Sequence, residues 1–155
     1  MDQREFAERV TTVQGSLYRV AASYLRGESD RLDAVAEAIA KAWERRRTLR
    51  EEALFATWIT RILIRVCVDI QRRQKRVIPV YEIAEKPAED ERVAALREAI
   101  DSLPQKERTM IVLYYMEGYD VRESAKLMGT TKGAVCAGLA RAREKLRAYM
   151  EEDAR

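Results

Sequence analysis

The sequence contains no histidine, only two cysteines and only three prolines in 155 residues. Without histidine, and with Cys67 and Cys136 far apart and outside any CxxC spacing, no zinc-binding set of ligands can be assembled. Both cysteines fall inside expected helices, where a small buried or half-buried thiol is the ordinary outcome. Long apolar runs are missing as well. The best of them, WITRILIR from Trp58, is interrupted by Arg61 and Arg65, so no segment is expected to cross a bilayer and no signal peptide opens the chain. The expected location is cytoplasmic. Catalytic chemistry has little to stand on: there is no histidine, no glycine-rich loop that could cradle phosphate and no nameable pair of buried carboxylates. No metal, cofactor or small-molecule substrate is expected.

What the chain does have is charge, 35% of its residues, arranged in blocks behind a modest net charge of +3. Between Lys41 and Arg76 eleven cations, among them Arg61, Arg65, Arg72, Arg73, Lys75 and Arg76, face four acids. That density suits a polyanion, since neutralising several phosphates is what supplies nucleic-acid affinity. Over 77–92 the balance reverses, and Pro79 and Pro87 forbid a continuous helix. This stretch reads as an extended acidic linker. Two small helical domains, 1–76 and 93–155, are expected on either side of it, giving an all-α chain.

Three helices are expected in the first domain. Asp2 with Glu5 makes a capping box, and Phe6, Val10, Val13, Leu17, Val20, Ala21 and Tyr24 form an apolar stripe that Gly27 should end. Ser29 or Asp30 should cap a second helix with Leu32, Val35, Ala36, Ile39 and Trp43 inward and Asp33, Glu37, Lys41 and Glu44 outward. A third, from about Glu52 to Arg76, should bury Phe55, Trp58, Ile59, Ile62, Leu63, Val66 and Ile70 and end in basic residues. Such an end also suits the negative pole of the helix dipole.

Residues 118–146, GYDVRESAKLMGTTKGAVCAGLARAREKL, describe two short helices across a tight turn. Asp120 can cap the first, with Val121, Ser124, Ala125 and Met128 inward, and Gly129 supplies the left-handed residue that stops it. Thr131 can cap the second, with Val135, Leu139, Ala142 and Leu146 on its inner face. Lys132, Cys136, Ala137, Ala140, Arg141, Glu144 and Lys145 lie opposite. The spacing fits a helix-turn-helix, whose second helix enters the major groove. It also fits a plain helical hairpin.

Taken together, these segments resemble an extracytoplasmic-function sigma factor of the sigma-70 family, over nearly the whole chain. The second helix is similar to the core-polymerase-binding segment: Asp33 and Glu37 match it, and Ala36 stands where Gln is usual. Residues 55–73 resemble the helix that recognises and melts the minus-ten element, with Trp58, Asp69 and Arg72 on the family pattern and Arg65 where Asn is common. Leu103-Pro104, the Arg108 to Tyr114 run, Glu117-Gly118 and residues 133–143 resemble the minus-thirty-five domain.

The resemblance implies a protein without chemistry of its own that binds core RNA polymerase and promoter DNA, with an anti-sigma factor as a further partner. Asp33, Ala36, Glu37 and Lys41 would meet polymerase. Arg61, Arg65, Asp69, Arg72, Arg73, Lys75 and Arg76 would meet the minus-ten side, and Lys126, Lys132, Cys136, Ala137, Ala140, Arg141 and Arg143 the upstream element. Bases would be captured by the loop near 48–54, which has no aromatic for stacking. Ala134, Cys136, Ala137, Gly138 and Ala140 replace the donors usual on the recognition helix. Three readings follow: close approach with contacts to thymine methyls, specificity resting on the minus-ten domain, or a degenerate decoy or adaptor that binds an anti-sigma protein or core polymerase without reading DNA.

Overall fold

The computed structural model describes residues 1–74 and 90–153, every regular element of which is helical. Lys75, Arg76 and most of the expected linker lie outside the described residues. The chain divides into two compact units, one within residues 1–83 and one within 84–155.

In the first unit, α1 (Gln3–Tyr24), α2 (Glu28–Glu44) and α3 (Phe55–Gln74) pack pairwise against one another. The capping box forms at α1: the Glu5 N–H donates to Asp2 Oδ1 at 2.9 Å and the Asp2 N–H to Glu5 Oε2 at 3.2 Å. Phe6, Leu17, Val20, Ala21 and Tyr24 are buried as spaced, joined by Leu25. Gly27 does not end this helix. The last carbonyls are taken by side chains instead: Gln71 donates to the Tyr24 carbonyl at 2.7 Å and Arg31 to that of Leu25 at 2.7 Å. No left-handed glycine is then required, and Gly27 becomes the extended N-cap of α2. Ser29 and Asp30 accordingly sit inside the first turn of α2 rather than capping it, and Asp30 accepts from the Gln74 amide at 2.6 Å.

The inner face of α2 differs from the expectation. Ala34, Ala38 and Ala42, spaced four apart with Val35, are the buried residues, whereas Leu32 is 53% exposed, Ala36 is exposed and Ile39 and Trp43 are half-buried. Small residues in an i, i+4 row let two helices approach closely, so the larger apolar row is left on the flank. Helix α3 begins at Phe55, later than expected, after a separate 3-10 turn over Glu52–Leu54. It buries Phe55, Ile59, Ile62, Leu63 and Val66, while Trp58 and Ile70 are only half-buried. Phe6 packs edge-on against Trp43 and Phe55, with centroids 5.2 and 5.8 Å apart, tying all three helices at one end.

The second unit contains α4 (Glu91–Asp101), α5 (Gln105–Ile111), a π turn (Val112–Met116), α6 (Val121–Met128) and α7 (Lys132–Asp153). Asp90, Glu91 and Arg92, assigned to the linker from their charge, form the cap and first turn of α4, with Asp90 Oδ1 accepting from the Arg92 N–H at 2.9 Å. Leu103, Met110, Ile111, Ala125, Val135, Leu139 and Ala142 make the core, with Val121, Met128 and Leu146 packed beside it.

Candidate polymerase and nucleic-acid interfaces

Helix α3 presents one continuous charged face. Arg61, Arg65, Asp69, Arg72 and Arg73 are all exposed and cover about a third of the helix circumference, opposite the buried Leu63 and Cys67, with the buried Ile62 and Val66 at the Arg73 edge. Asp69 is the single acid on that arc. Cys67 lies on the opposite, buried side, where desolvation pushes its thiol up to about 12. It is inert packing, as the sequence suggests.

The loop leading into α3 is held at both ends. The Arg46 guanidinium lies 3.7 Å from the Trp43 ring centroid and donates to the Trp43 carbonyl at 2.9 Å. Arg9 reaches across from α1 to donate to the Glu52 carboxylate at 2.6 Å and to the Glu52 carbonyl at 3.1 Å. The Arg9–Glu52 restraint is not visible in local sequence, because it pairs residues 43 positions apart on different elements.

On α2, Asp33 and Ala36 are exposed, and Glu37 and Lys41 are half-buried and paired at 3.3 Å. They border the flank that carries Leu32 and Ile39. The structure therefore brings these four residues to one exposed region with apolar and charged parts.

The two-helix element at the C-terminal end is built as the sequence predicts. Asp120 caps α6 and forms a full capping box with Glu123: the Glu123 N–H donates at 2.8 Å and the Glu123 side chain accepts from the Asp120 N–H at 3.2 Å. Gly129 takes the left-handed conformation, φ +64°, and the Thr130 N–H bonds back to the Ala125 carbonyl at 2.9 Å. Thr131 Oγ1 accepts from the Ala134 N–H at 3.1 Å and so caps α7. Val135, Leu139 and Ala142 face inward; Lys132, Cys136, Ala137, Ala140, Arg141 and Arg143 are exposed, with Lys126 exposed on α6. Cys136 is thus a surface thiol on the outer side of α7, where the helical spacing puts it, and not the buried or half-buried thiol that is the ordinary outcome for a helical cysteine.

Gly138 is the clearest correction. It is buried, not part of the outer face, and a Cβ built on it would collide with the sulfur of Met110 and stand 3.0 Å from its Cε. The missing side chain leaves a notch in α7 in which the tip of the α5 methionine lies. A second feature escaped the sequence. Glu107, in the first turn of α5 with its side chain only 9% exposed, accepts from Arg141 Nε at 3.3 Å and from Lys145 Nζ at 2.9 Å. Arg143, on the other flank of α7, donates to the Tyr115 hydroxyl at 3.1 Å. Tyr115 is held out toward solvent by the π turn, where the Glu117 N–H bonds back five residues to the Val112 carbonyl at 3.0 Å.

Among the described residues no helix is long and apolar enough to cross a membrane, and no group of histidine, cysteine and acidic side chains could hold a metal ion.

Comparison with known proteins assigns both units. The family described as Sigma-70 region 2 matches residues 10–77, and that described as Sigma-70, region 4 matches residues 94–146. The RNA polymerase sigma factor SigV of Bacillus subtilis is 31% identical over 149 residues, spanning 93% of this chain and 90% of the relative. The ECF RNA polymerase sigma factor SigM of Mycobacterium tuberculosis is 31% identical over 84% of this chain and 69% of its own length. Among solved structures, the sigma factor RpoE, in complex with the anti-sigma factor NepR from Bartonella quintana, shares the fold with a TM-score of 0.84 at 20% identity, covering 96% of this chain and 98% of that one. CnrH, solved with the cytosolic domain of CnrY, aligns with a TM-score of 0.73 at 26% identity over 98% of this chain and 91% of its own. The two matched regions stand in the order that the sequence resemblance requires, and the chain belongs to the extracytoplasmic-function sigma factors of the sigma-70 family.

Proposed function

We propose that this chain binds core RNA polymerase and directs it to promoters, with the exposed region of α2 around Asp33, Ala36, Glu37 and Lys41 docking on polymerase. The outer face of α3, Arg61, Arg65, Asp69, Arg72 and Arg73, continued in sequence by Lys75 and Arg76, tracks the minus-ten strand. Its cations neutralise backbone phosphates while the loop held by Arg46 and Arg9 contributes the pocket for unstacked bases. Helix α7 enters the upstream major groove with Lys132, Cys136, Ala137, Ala140, Arg141 and Arg143 at its surface, and Lys126 lies nearby on α6.

The single observation that carries this reading is the presence in one chain of an exposed cationic helix and a capped helix-turn-helix, in the order of regions 2 and 4. The proposed limits are 1–76 for the polymerase-binding and minus-ten domain, 77–92 for the linker, whose last residues Asp90–Arg92 already form the cap and first turn of α4, and 93–155 for the upstream domain. They are supported by the gap between the two family matches. The protein acts in the cytoplasm and contributes no catalysis. An anti-sigma factor is its proposed regulator, by likeness to RpoE held by NepR.

Run-off transcription by core polymerase on fragmented genomic DNA from the source, with and without this protein and with transcript 5′ ends mapped, tests the proposal. New starts that share spaced upstream motifs are expected. Core binding without new starts would overturn promoter direction and leave the adaptor reading in its place.

A further inference from the structure

We infer that Glu107 is a positioning residue that gives the recognition helix its selectivity, by fixing Arg141 for one base edge and withholding Lys145 from the phosphates. The inference rests on the proposed placement of α7 in the upstream groove. It begins with Gly138. The tip of Met110 lies in a notch of α7 where a Cβ on Gly138 would stand, and the first turn of α5 touches the side of α7 through Glu107. Glu107 is in that turn.

The geometry is asymmetric. Glu107 is nearly buried, and a buried carboxylate needs compensating partners; Arg141 and Lys145, at 60% and 49% side-chain exposure, supply them. The Lys145 ammonium is 3.0 and 2.9 Å from the two carboxylate oxygens, so its charge is committed to the protein. Arg141 is engaged through Nε. The same guanidinium, on a side chain 60% exposed, carries the pair of terminal amines that forms bidentate contacts with guanine, and its Nη2 stands 3.9 Å from where a Cβ on Gly138 would lie. Cys136, Ala137 and Ala140 offer few polar groups to bases, so a restrained arginine becomes the main direct reader of this face. A restrained arginine loses less freedom on binding, and a cation tied to Glu107 adds less to sequence-blind affinity.

The full chain is tested against a random duplex library, with bound DNA sequenced, and in a salt titration against one random-sequence duplex. Glu107→Gln keeps the shape of the side chain and Glu107→Ala removes it, while Arg141→Ala identifies the base position concerned. Both Glu107 variants are expected to weaken preference at the Arg141-dependent position by roughly tenfold. Both should also bind random duplex more tightly and with a salt slope steeper by about 1–2. If Arg141→Ala erases one position but the Glu107 variants keep both preference and slope, the inference is overturned and the upstream-reading face stands. If the wild type selects no motif and Lys132→Ala with Arg143→Ala leaves duplex affinity unchanged, α7 does not read DNA, and the proposed placement falls together with the inference.

Discussion

The two basic helices of this protein hold their cations in opposite ways. On α3 the arginines stand exposed on one arc with Asp69 alone among them, whereas on α7 Arg141 and Lys145 share the sheltered carboxylate of Glu107 and Arg143 leans on Tyr115. An exposed, mobile cation contributes through counterion release and is indifferent to sequence. A cation fixed by a neighbour contributes less affinity and more geometry. The difference fits the tasks proposed for the two faces, melted single strand on one and duplex on the other.

The sharpest way to break this comparison is to empty the α3 face. Arg61→Ala, Arg72→Ala and Arg73→Ala together should abolish promoter opening by the reconstituted holoenzyme, read by permanganate reactivity of unpaired thymines. They should also lower the salt slope of promoter binding by about 2, at roughly 0.7 for each single-strand phosphate contact. Removing Arg141, Arg143 and Lys132 instead should leave a pre-melted promoter fork bound and reduce upstream duplex affinity and discrimination. Equal losses from the two sets would erase the distinction.

The cysteines provide a second probe, one in each unit. Cys136 is exposed on the outer side of α7, and Cys67 is fully buried with its thiol pushed up to about 12. A maleimide should therefore modify Cys136 in the native chain at least a hundredfold faster than Cys67, because only a thiolate in contact with solvent reacts readily. DNA bound along α7 should protect Cys136. For Cys67 the folded state stays neutral while the unfolded state ionises near its ordinary value. Its contribution to stability is complete below that value and is lost as pH rises from there toward about 12.

How much of this could be read from sequence depended on range. The capping box at Asp2 and Glu5, the Asp120 cap, Gly129 and Thr131 were all legible, because each is a signal spanning only a few residues with a fixed hydrogen-bonding consequence. The inner face of α2 was not. Alanine is compatible with either face, and the larger Leu32 and Ile39 outweighed Ala34, Ala38 and Ala42 in any hydrophobic count, although close helix packing favoured the smaller row. Gly138 was legible as an anomaly and illegible as a contact, since its partner Met110 is 28 positions away on another helix. Glu107 gave no local signal at all. Its significance exists only once α5 lies against α7.

The notch can be tested by stability. Met110→Ala removes a buried side chain and should cost about 2–5 kcal/mol. Gly138→Ala gains about 1 kcal/mol of helix propensity but drives Met110 from its place. In the Met110→Ala background the clash is gone, so the same glycine substitution should become more favourable, with a coupling of about 0.5–3 kcal/mol in urea unfolding. Additive effects would mean that Met110 moves aside without cost, and the close approach of α5 would not depend on Gly138.

The smallest expected effect concerns the cap of the helix-turn-helix itself. The Glu123 N–H that donates to Asp120 holds its carboxyl below the ordinary carboxylate value; desolvation opposes it, and the Glu123 side chain and the Arg122 N–H and charge add to the lowering. A depressed folded value means that the stabilisation is present above the unfolded value, near 3.9, and disappears as pH falls through the folded one. Asp120→Asn keeps an acceptor for the Glu123 N–H but cannot titrate. Wild type should therefore be the more stable at neutral pH, and the gap between the two urea midpoints should close as the solution is acidified. A gap independent of pH would assign the cap's contribution to hydrogen-bond geometry alone, leaving charge at the tip of α6 without a role in presenting α7.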